Sequence, residues 1–562
     1  MKRMIPILAV VFCGLMSVMA KTVKVSEFNP DKNDATKAIQ AALDSGAEKV
    51  IIDKMPFDYK ITTIFLRSNQ EVVVKDGVTI AAIKGEHKHP TSCLVVADGV
   101  KNGILRGEGK ALLKMNKKDY QDPNQYSRSE HRHLMPIVNC KNFTLRDITL
   151  AASGGDGLYI TGKNGDVSSD VLIENVTCTD HHRQGCSIIS AERLTIRKCR
   201  FINTDGTPPQ LGIDFEPNNN SEMLVDCLVE DCYLAENTGG GLAVCVMFTL
   251  CKPLSITIRN CVIENNKGGA FGNWTGGNAD KAQTGTVRLE KCVFRQPKGT
   301  AMNTNNMRAG GVKLKFRDCV FELQDPNGQN FCSVMTQVSD DVDGFDFGNL
   351  VVKYVKLNQA FSVASLGPSK FVTPKGNITF KNVKTGENTK FDLSQLEKKY
   401  PGNPALRSFK TLVCDTRGMV PLKKRGHGVS GLALRGSNRF LQYGKAGVPM
   451  DITFSLPWHR GGINIPVTVT DSNNTPVTNF DITSEKQVFH FVPQYDNVFV
   501  FSWSTMEASV NVSSDAPGNG YDCSKGLGMM GHEKDFFFPV MSGTKKVMVE
   551  LRGDIGEPVG VK

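Results

Sequence analysis

Between residues 140 and 383 one short pattern recurs, an alternating strand that ends on an apolar residue or a cysteine. It reads FTLRDI to Ile148, VLIENV to Val176, LTIRKC to Cys199, LVEDC to Cys232, ITIRNC to Cys261, VRLEKC to Cys292, KFRDC to Cys319, LVVKYV to Val355 and ITFKNV to Val383, at spacings of 23 to 36 residues. Apolar and polar residues alternate by two between turns rich in Gly, Asn and Asp, so tandem helical repeats are excluded. One coil of a parallel β-helix fits. A single coil cannot bury its apolar face, but coils stacked at about 4.8 Å join those faces into one continuous core.

A second stack keeps step with the first. Aligned on glycine it reads DGLYIT at Gly157, QGCSII at Gly185, LGIDFE at Gly212, GGLAVC at Gly241, GGAFGN at Gly269 and KGTAMN at Gly299. Positions one and three after the glycine are mostly apolar and are expected to point inward. Positions two and four then face outward: Tyr159 and Thr161, Ser187 and Ile189, Asp214 and Glu216, Ala243 and Cys245, Phe271 and Asn273, Ala301 and Asn303. The repeat also decides what the 16 cysteines mean. In an exported chain they would suggest a disulfide framework, yet Cys199, Cys232, Cys261, Cys292 and Cys319 share one coil position. That makes them an inward ladder of buried thiols.

The flanks read differently. Lys2 and Arg3 precede an apolar run from Met4 to Met16, with Val18-Met19-Ala20 as a cleavage site, so residues 1–20 read as a signal peptide and the mature protein as secreted or periplasmic. That run is too short to span a membrane. Asp34 to Ser45 has helical periodicity, with Asn33 or Asp34 as N-cap, and is expected to cap the first coil. Asp392 to Tyr400 is expected to cap the last, and Pro-Gly-Asn-Pro at 401–404 reads as a linker. The domains expected are thus a β-helix over 21–404 and a β-sandwich-like module over 405–562, whose strands include INIPVTVTD, KQVFHFVP and KKVMVEL, with Trp458 in its core. A formal net charge of +10, about +8 without the leader, comes without dense Lys/Arg tracts or basic-aromatic interleaving. Nucleic acid is not an expected partner.

On the outward face of the second stack, neighbouring coils converge on one patch. Asp214 and Glu216 lie two apart on one strand, about 6.5 to 7 Å along it. The preceding coil brings Asp180-His181-His182-Arg183-Gln184, the one before it Ser153-Gly154-Gly155-Asp156, and the one before that Glu130-His131-Arg132-His133. These runs, EHRH, SGGDGLYI, DHHRQGCSIIS and GTPPQLGIDFEPN, resemble exported right-handed parallel β-helix proteins of the pectate-lyase-like superfamily over about residues 25 to 400. The opening DATKAIQAALDSG is similar to the N-terminal cap of pectin-lyase-like proteins. The resemblance implies carbohydrate chemistry on an extended groove. The polygalacturonase set of Asn-Thr-Asp, Asp-Asp and Gly-His-Gly is not assembled on successive coils, so that specificity is not carried over.

Three functions compete for the groove. A glycosidase needs one carboxylic acid and one carboxylate, about 6.5 to 9.5 Å apart for inversion or about 5 to 5.5 Å for retention; Asp214 and Glu216 suit the wider spacing, with Asp156 as an alternative partner. This reading requires no cofactor. A lyase, or a C5-epimerase on uronate glycans, needs a base such as His181, His182 or Arg183 and often Ca²⁺ held by the acids. A glycan-binding helix without catalysis is the third. In each case a polysaccharide or oligosaccharide is the partner, with Arg132, His133, Tyr159, His182, Arg183, Gln184, Phe271, Asn273, Trp274 and Asn303 as candidate contacts. Hydrolysis with Asp214, Glu216, Asp156 and His181 as the catalytic group is the leading expectation.

Overall fold

The computed structural model describes residues 21–402 and 434–529, apart from 164, 278–280, 337–339, 365–368, 460–461, 517–518 and 522–527. The expected leader, the end of the linker and the KKVMVEL segment lie outside the described residues. The chain divides into two units, Met1–Pro404 and Ala405–Lys562.

The first unit is a parallel β-helix whose central coils each contribute three strands. The coil that carries Asp156 supplies Lys141–Arg146, Thr149–Ala151 and Leu158–Thr161. The next supplies Ser168–Glu174, Thr177–Thr179 and Cys186–Ile188, and the one after it Ala191–Arg197, Arg200–Ile202 and Leu211–Phe215. Third strands stack into an 11-stranded sheet, with Leu158 opposite Cys186, Cys186 opposite Ile213 and Ile213 opposite Leu242. All four are buried, as the alternation requires.

The turn from first to second strand explains the residue before each ladder position. Asp147, Asn175, Lys198, Asp231, Asn260, Lys291 and Asp318 all adopt a left-handed backbone, a conformation Asn and Asp tolerate better than other side chains. The following residue drops into the core. There Cys199, Cys232, Cys261, Cys292 and Cys319 are buried and free of disulfides, and Cys261 Sγ donates to the Arg259 carbonyl at 3.2 Å. Turns into the third strand are stitched by amides: Thr204 N–H donates to Asn237 Oδ1 and Asn237 N–H to Asn266 Oδ1, each at 3.1 Å.

Both ends are covered. The helix Thr36–Leu43 buries Ala38, Ile39, Ala42 and Leu43; Ala35 is its N-cap, one residue later than expected, and Asp34 Oδ1 accepts the Thr36 N–H at 2.9 Å. Helix Ser394–Lys399 buries Leu396 at the other end. Neither is long and apolar enough to cross a membrane.

The second unit is antiparallel. The first part of the long strand Asn497–Ser514 lies between Leu434–Gly444 and Ile465–Asp471, and its last part pairs with Met450–His459, over a core of Phe440, Phe454, Phe501 and Trp503. Trp503, not Trp458, is the core tryptophan; Trp458 is half-buried.

Candidate active site

Along the outward face of the third sheet the register places Tyr159, Ser187, Asp214, Ala243, Gly272 and Asn303 one above another. Glu216 follows the Asp214 strand directly, its N–H bonded to the Ile188 carbonyl at 3.0 Å. The turns before these strands add Asp156 and the run from His181 to Gln184.

Arg183 is the hub. Its guanidinium reaches Glu130 at 3.2 Å, Asp156 at 3.6 Å and Glu216 at 3.0 Å, and Asp214 lies on the strand that Glu216 follows. One cation faces four carboxyl groups, so they cannot all ionise in a dry site. Burial decides which keep their protons. Asp156 and Asp214 are almost wholly buried, 0% and 1% exposed. Burial, with the Glu216 and Glu130 charges, pushes the Asp156 carboxyl up to about 7 despite Arg183. Burial and the Glu216 charge likewise hold Asp214 well above the ordinary carboxylate range, against the opposing pull of Gln184 and Arg183. For Arg183, burial works against the charge, but Asp156, Glu216 and Glu130 outweigh it and raise its pKa above the usual value.

Hydrogen bonding fixes where the Asp214 proton sits. Gln184 Oε1 accepts the Leu211 N–H at 3.2 Å, which orients the amide so that Nε2 donates to Asp214 Oδ2 at 2.7 Å. Oδ2 is therefore an acceptor, and the proton belongs on Oδ1, which has no partner. Both Asp156 carboxyl oxygens also lack a hydrogen bond of good geometry, although Ser187 and Arg183 flank them. A buried polar atom left unpaired costs about 1 to 3 kcal/mol. Four such oxygens, counting the Ser187 hydroxyl, stand unpaired together in one buried place, a concentration that is uncommon in a folded protein.

The histidines are committed elsewhere. His133 Nδ1 accepts the Asp156 N–H at 3.0 Å, so its proton resides on Nε2, and the ring stacks on Tyr159 with centroids 4.5 Å apart. Burial, then the neighbouring His131 and Arg183, hold its pKa well below the usual value. His182 is bracketed by Gln121 Nε2 at 3.1 Å and Thr207 Oγ1 at 2.9 Å. His181 corrects the expectation of a catalytic imidazole. It is fully buried, Nδ1 faces Ser153 Oγ at 2.8 Å, and Nε2 packs where a Cβ on Gly157 would stand. Burial, followed by the Lys117 charge, lowers its pKa to about 3.

Arg132 is a second correction. It is completely buried, donating to the carbonyls of His87, Lys88 and Ser127 and lying over the Tyr120 and Tyr126 rings, so it braces a loop and cannot clamp substrate. Phe271 and Asn273 are a third. Leu242 pairs with Phe271 and Val244 with Asn273, so it is Ala270, not Gly269, that continues the glycine row. The one-residue slip turns both side chains inward: Phe271 packs on Phe294 and Phe316, and Asn273 bonds Thr275. The same slip sends Trp274 outward, half-buried, its ring lying over Gly272. Asn303 faces outward beside it, and Asn305 follows on the same face.

Several contributors were not among the candidate catalytic or contact residues. Glu130 and Ser187 complete the acidic cluster. Cys245 stands next to Asp214 and Glu216, which with burial push its thiol well up. Lys117 pairs with Asp180 at 2.7 Å, and Asn218 reaches the Tyr159 hydroxyl at 3.4 Å. The outward position of Ser187 and Cys245 was the only available signal; Lys117 lies in a loop without periodicity. Asn203-Thr204-Asp205 serves a turn, with Asp205 N–H bonded to the His181 carbonyl. Among the described residues no group of three or more His, Cys, Asp and Glu side chains is arranged to hold a metal ion.

No curated protein matches the sequence. Among solved structures, an exopolygalacturonase from Thermotoga maritima is similar at 13% identity, covering 66% of this chain and 94% of that one with a TM-score of 0.42. A mannuronan C-5 epimerase module from Azotobacter vinelandii is similar at 13% identity, 63% and 100% coverage and a TM-score of 0.41. A surface protein and adhesin from Streptococcus pneumoniae is similar at 12% identity, 64% and 100% coverage and a TM-score of 0.38. Residues 127–285, the stretch that holds the Arg183 cluster, match the family model described as the right handed beta helix region.

Proposed function

We propose that this protein is a glycoside hydrolase in which Asp214 protonates the leaving oxygen and Glu216 activates the attacking water. The observation that carries the reading is the Asp214 carboxyl, buried, held above the ordinary carboxylate range and oriented by Gln184 with Oδ1 unpaired, two residues from a carboxylate paired with Arg183. A general acid must hold its proton at working pH, and burial is how a carboxyl does so. Glu216 stands against the Arg183 guanidinium at 3.0 Å, in the place the base would take. The spacing of about 6.5 to 7 Å along the strand corresponds to inversion of the anomeric centre.

A lyase or epimerase is disfavoured by the state of the bases. His181 is buried against Gly157, His182 has both ring nitrogens engaged, and Arg183 is held protonated by its acids. The guanidinium also occupies the centre of the carboxylates, where a cation for uronate chemistry would sit. Export from the cell accords with polymer degradation and belongs to the same proposal.

The test is a product assay on uronate-rich and neutral polysaccharides with the wild type, Asp214→Asn and Glu216→Gln. Reducing ends without ultraviolet-absorbing unsaturated ends, lost in both variants, are expected. Unsaturated products that persist in Asp214→Asn would sink the proposal.

A further inference from the structure

The charges gathered on the outward face are one-sided. Arg183 is the cation at their centre, and all three of its nitrogens already face an acid: Nε faces Glu130 at 3.2 Å, Nη1 faces Asp156 at 3.6 Å and Nη2 faces Glu216 at 3.0 Å. An arginine recognises a carboxylate or sulfate through a fork of two parallel N–H donors. Here each edge of the fork is taken. The other basic side chains of the same runs are spent as well. Lys117 is paired with Asp180 at 2.7 Å, and Arg132 is buried and donates to three carbonyls. His133 accepts the Asp156 N–H, and burial, then His131 and Arg183, hold its pKa well below the usual value, so it brings no charge. His131 stands 3.7 Å from Glu130. His182 turns its two ring nitrogens to Gln121 and Thr207.

Negative charge is felt well beyond the guanidinium. Tyr159, Asp214 and Cys245 belong to the third strands Leu158–Thr161, Leu211–Phe215 and Gly240–Cys245, which stack in register with Cys186–Ile188. Three strand steps separate the first from the last, about 14 Å along the axis. Burial is the first cause that raises the pKa of each group, and carboxylates are the next that raise it: Asp156 and Glu222 for Tyr159, Glu216 and Asp156 for Asp214, Asp214 and Glu216 for Cys245. Asp156 is raised by burial and then by Glu216 and Glu130. Arg183 pulls the other way on Tyr159, Asp214 and Asp156 and reverses none of them. Near Glu216 the Tyr159 hydroxyl and the exposed Asn218 amide, 3.4 Å apart, are neutral groups of the kind that bond sugar hydroxyls.

We propose that the substrate of this site is a glycan without acidic groups, and that the cluster of Glu130, Asp156 and Glu216 around Arg183 turns away uronate and sulfated polymers. The inference rests on the hydrolase reading and adds the substrate class to it. A carboxylate on the bound sugar would arrive beside these acids with no cationic donor left to receive it, in surroundings where like charges repel more strongly than in water. A hydroxymethyl group on the same carbon carries no such penalty.

The experiment uses the full-length protein on polymers that share a backbone and differ in charge: polygalacturonate and alginate, each beside the same polymer with its carboxyls reduced to hydroxymethyl groups, and xylan and mannan as further neutral substrates. Reducing ends are counted at low salt, where surface charges are least screened. A neutral member should be cleaved with kcat/KM at least about tenfold above its acidic parent, or xylan or mannan should be cleaved while both acidic polymers stay intact. Glu130→Gln, which releases Arg183 Nε from its acid, should narrow the ratio of neutral to acidic rates; a general loss of structure would lower both rates alike. Cleavage of an acidic polymer at or above the rate of its reduced form overturns the substrate class and leaves hydrolysis standing. So does a ratio unmoved in a Glu130→Gln protein that melts like the wild type. Release of no reducing ends from any of the polymers overturns the hydrolase reading and the substrate class with it.

Discussion

Burial raises the Asp156 and Asp214 carboxyls against the pull of Arg183, and two consequences follow for single residues. Replacing the Asp214 or the Glu216 carboxyl should remove general acid or base catalysis, worth about 10² to 10⁴-fold in rate. Asp214→Asn and Glu216→Gln are thus expected to lower kcat by that range with KM little changed, as steady-state kinetics will show. Asp156 predicts a pH dependence of stability. Its folded pKa of about 7 lies above its ordinary 3.8, so the folded state binds the proton more tightly than the unfolded one. The stability it contributes is complete below about pH 4 and is lost as the pH rises through about 7, on the order of 4 kcal/mol in all. Thermal denaturation of the wild type against Asp156→Asn between those limits should show the gap shift by that amount in favour of the variant; parallel curves contradict it. At this scale the sequence reached the outward parity of Asp214 and Glu216 through period-two alternation. It could not reach the burial of Asp214, because no periodicity reports how closely neighbouring coils and turns pack around an outward position.

Among elements, the coil length was legible and the face of one strand was not. Gly268 and Gly269 stand together, and either can be aligned with the row of single glycines. The structure continues the row with Ala270 instead, and the slip exchanges Phe271 and Asn273 for Gly272 and Trp274. Arg132 was misplaced because it belongs to the 20-residue connection between Leu112–Lys114 and Met135–Val138, which folds back over its guanidinium. The cysteine row was legible because five residues at one coil position can only stack. It makes a prediction for the native protein. Cys251 is exposed, whereas Cys199, Cys232, Cys261, Cys292 and Cys319 are buried. Brief treatment with iodoacetamide, read by peptide mass spectrometry, should label Cys251 and spare the row; labelling of the row before unfolding contradicts the inward ladder.

For the molecule as a whole, a β-helix solves a problem that a chain of 562 residues would otherwise meet with several cores. Each central coil adds two strands to the larger sheet and one to the 11-stranded sheet, so residues far apart in sequence are brought together at the spacing of stacked strands. Glu130, Asp156, Arg183 and Glu216 come from four successive coils and meet at one guanidinium. The repeat made that convergence visible in the sequence, and the end caps and the separate antiparallel unit were legible from the loss of the period. What distinguishes a cleaving site from a binding surface is the proton on Asp214, and that depends on packing. Proton NMR of the product from a polysaccharide the protein degrades tests this most directly. The account predicts saturated sugars with a new anomeric proton of inverted configuration and no olefinic signal, and their loss in Asp214→Asn. An olefinic proton in the product, or an undiminished yield from Asp214→Asn, would contradict it.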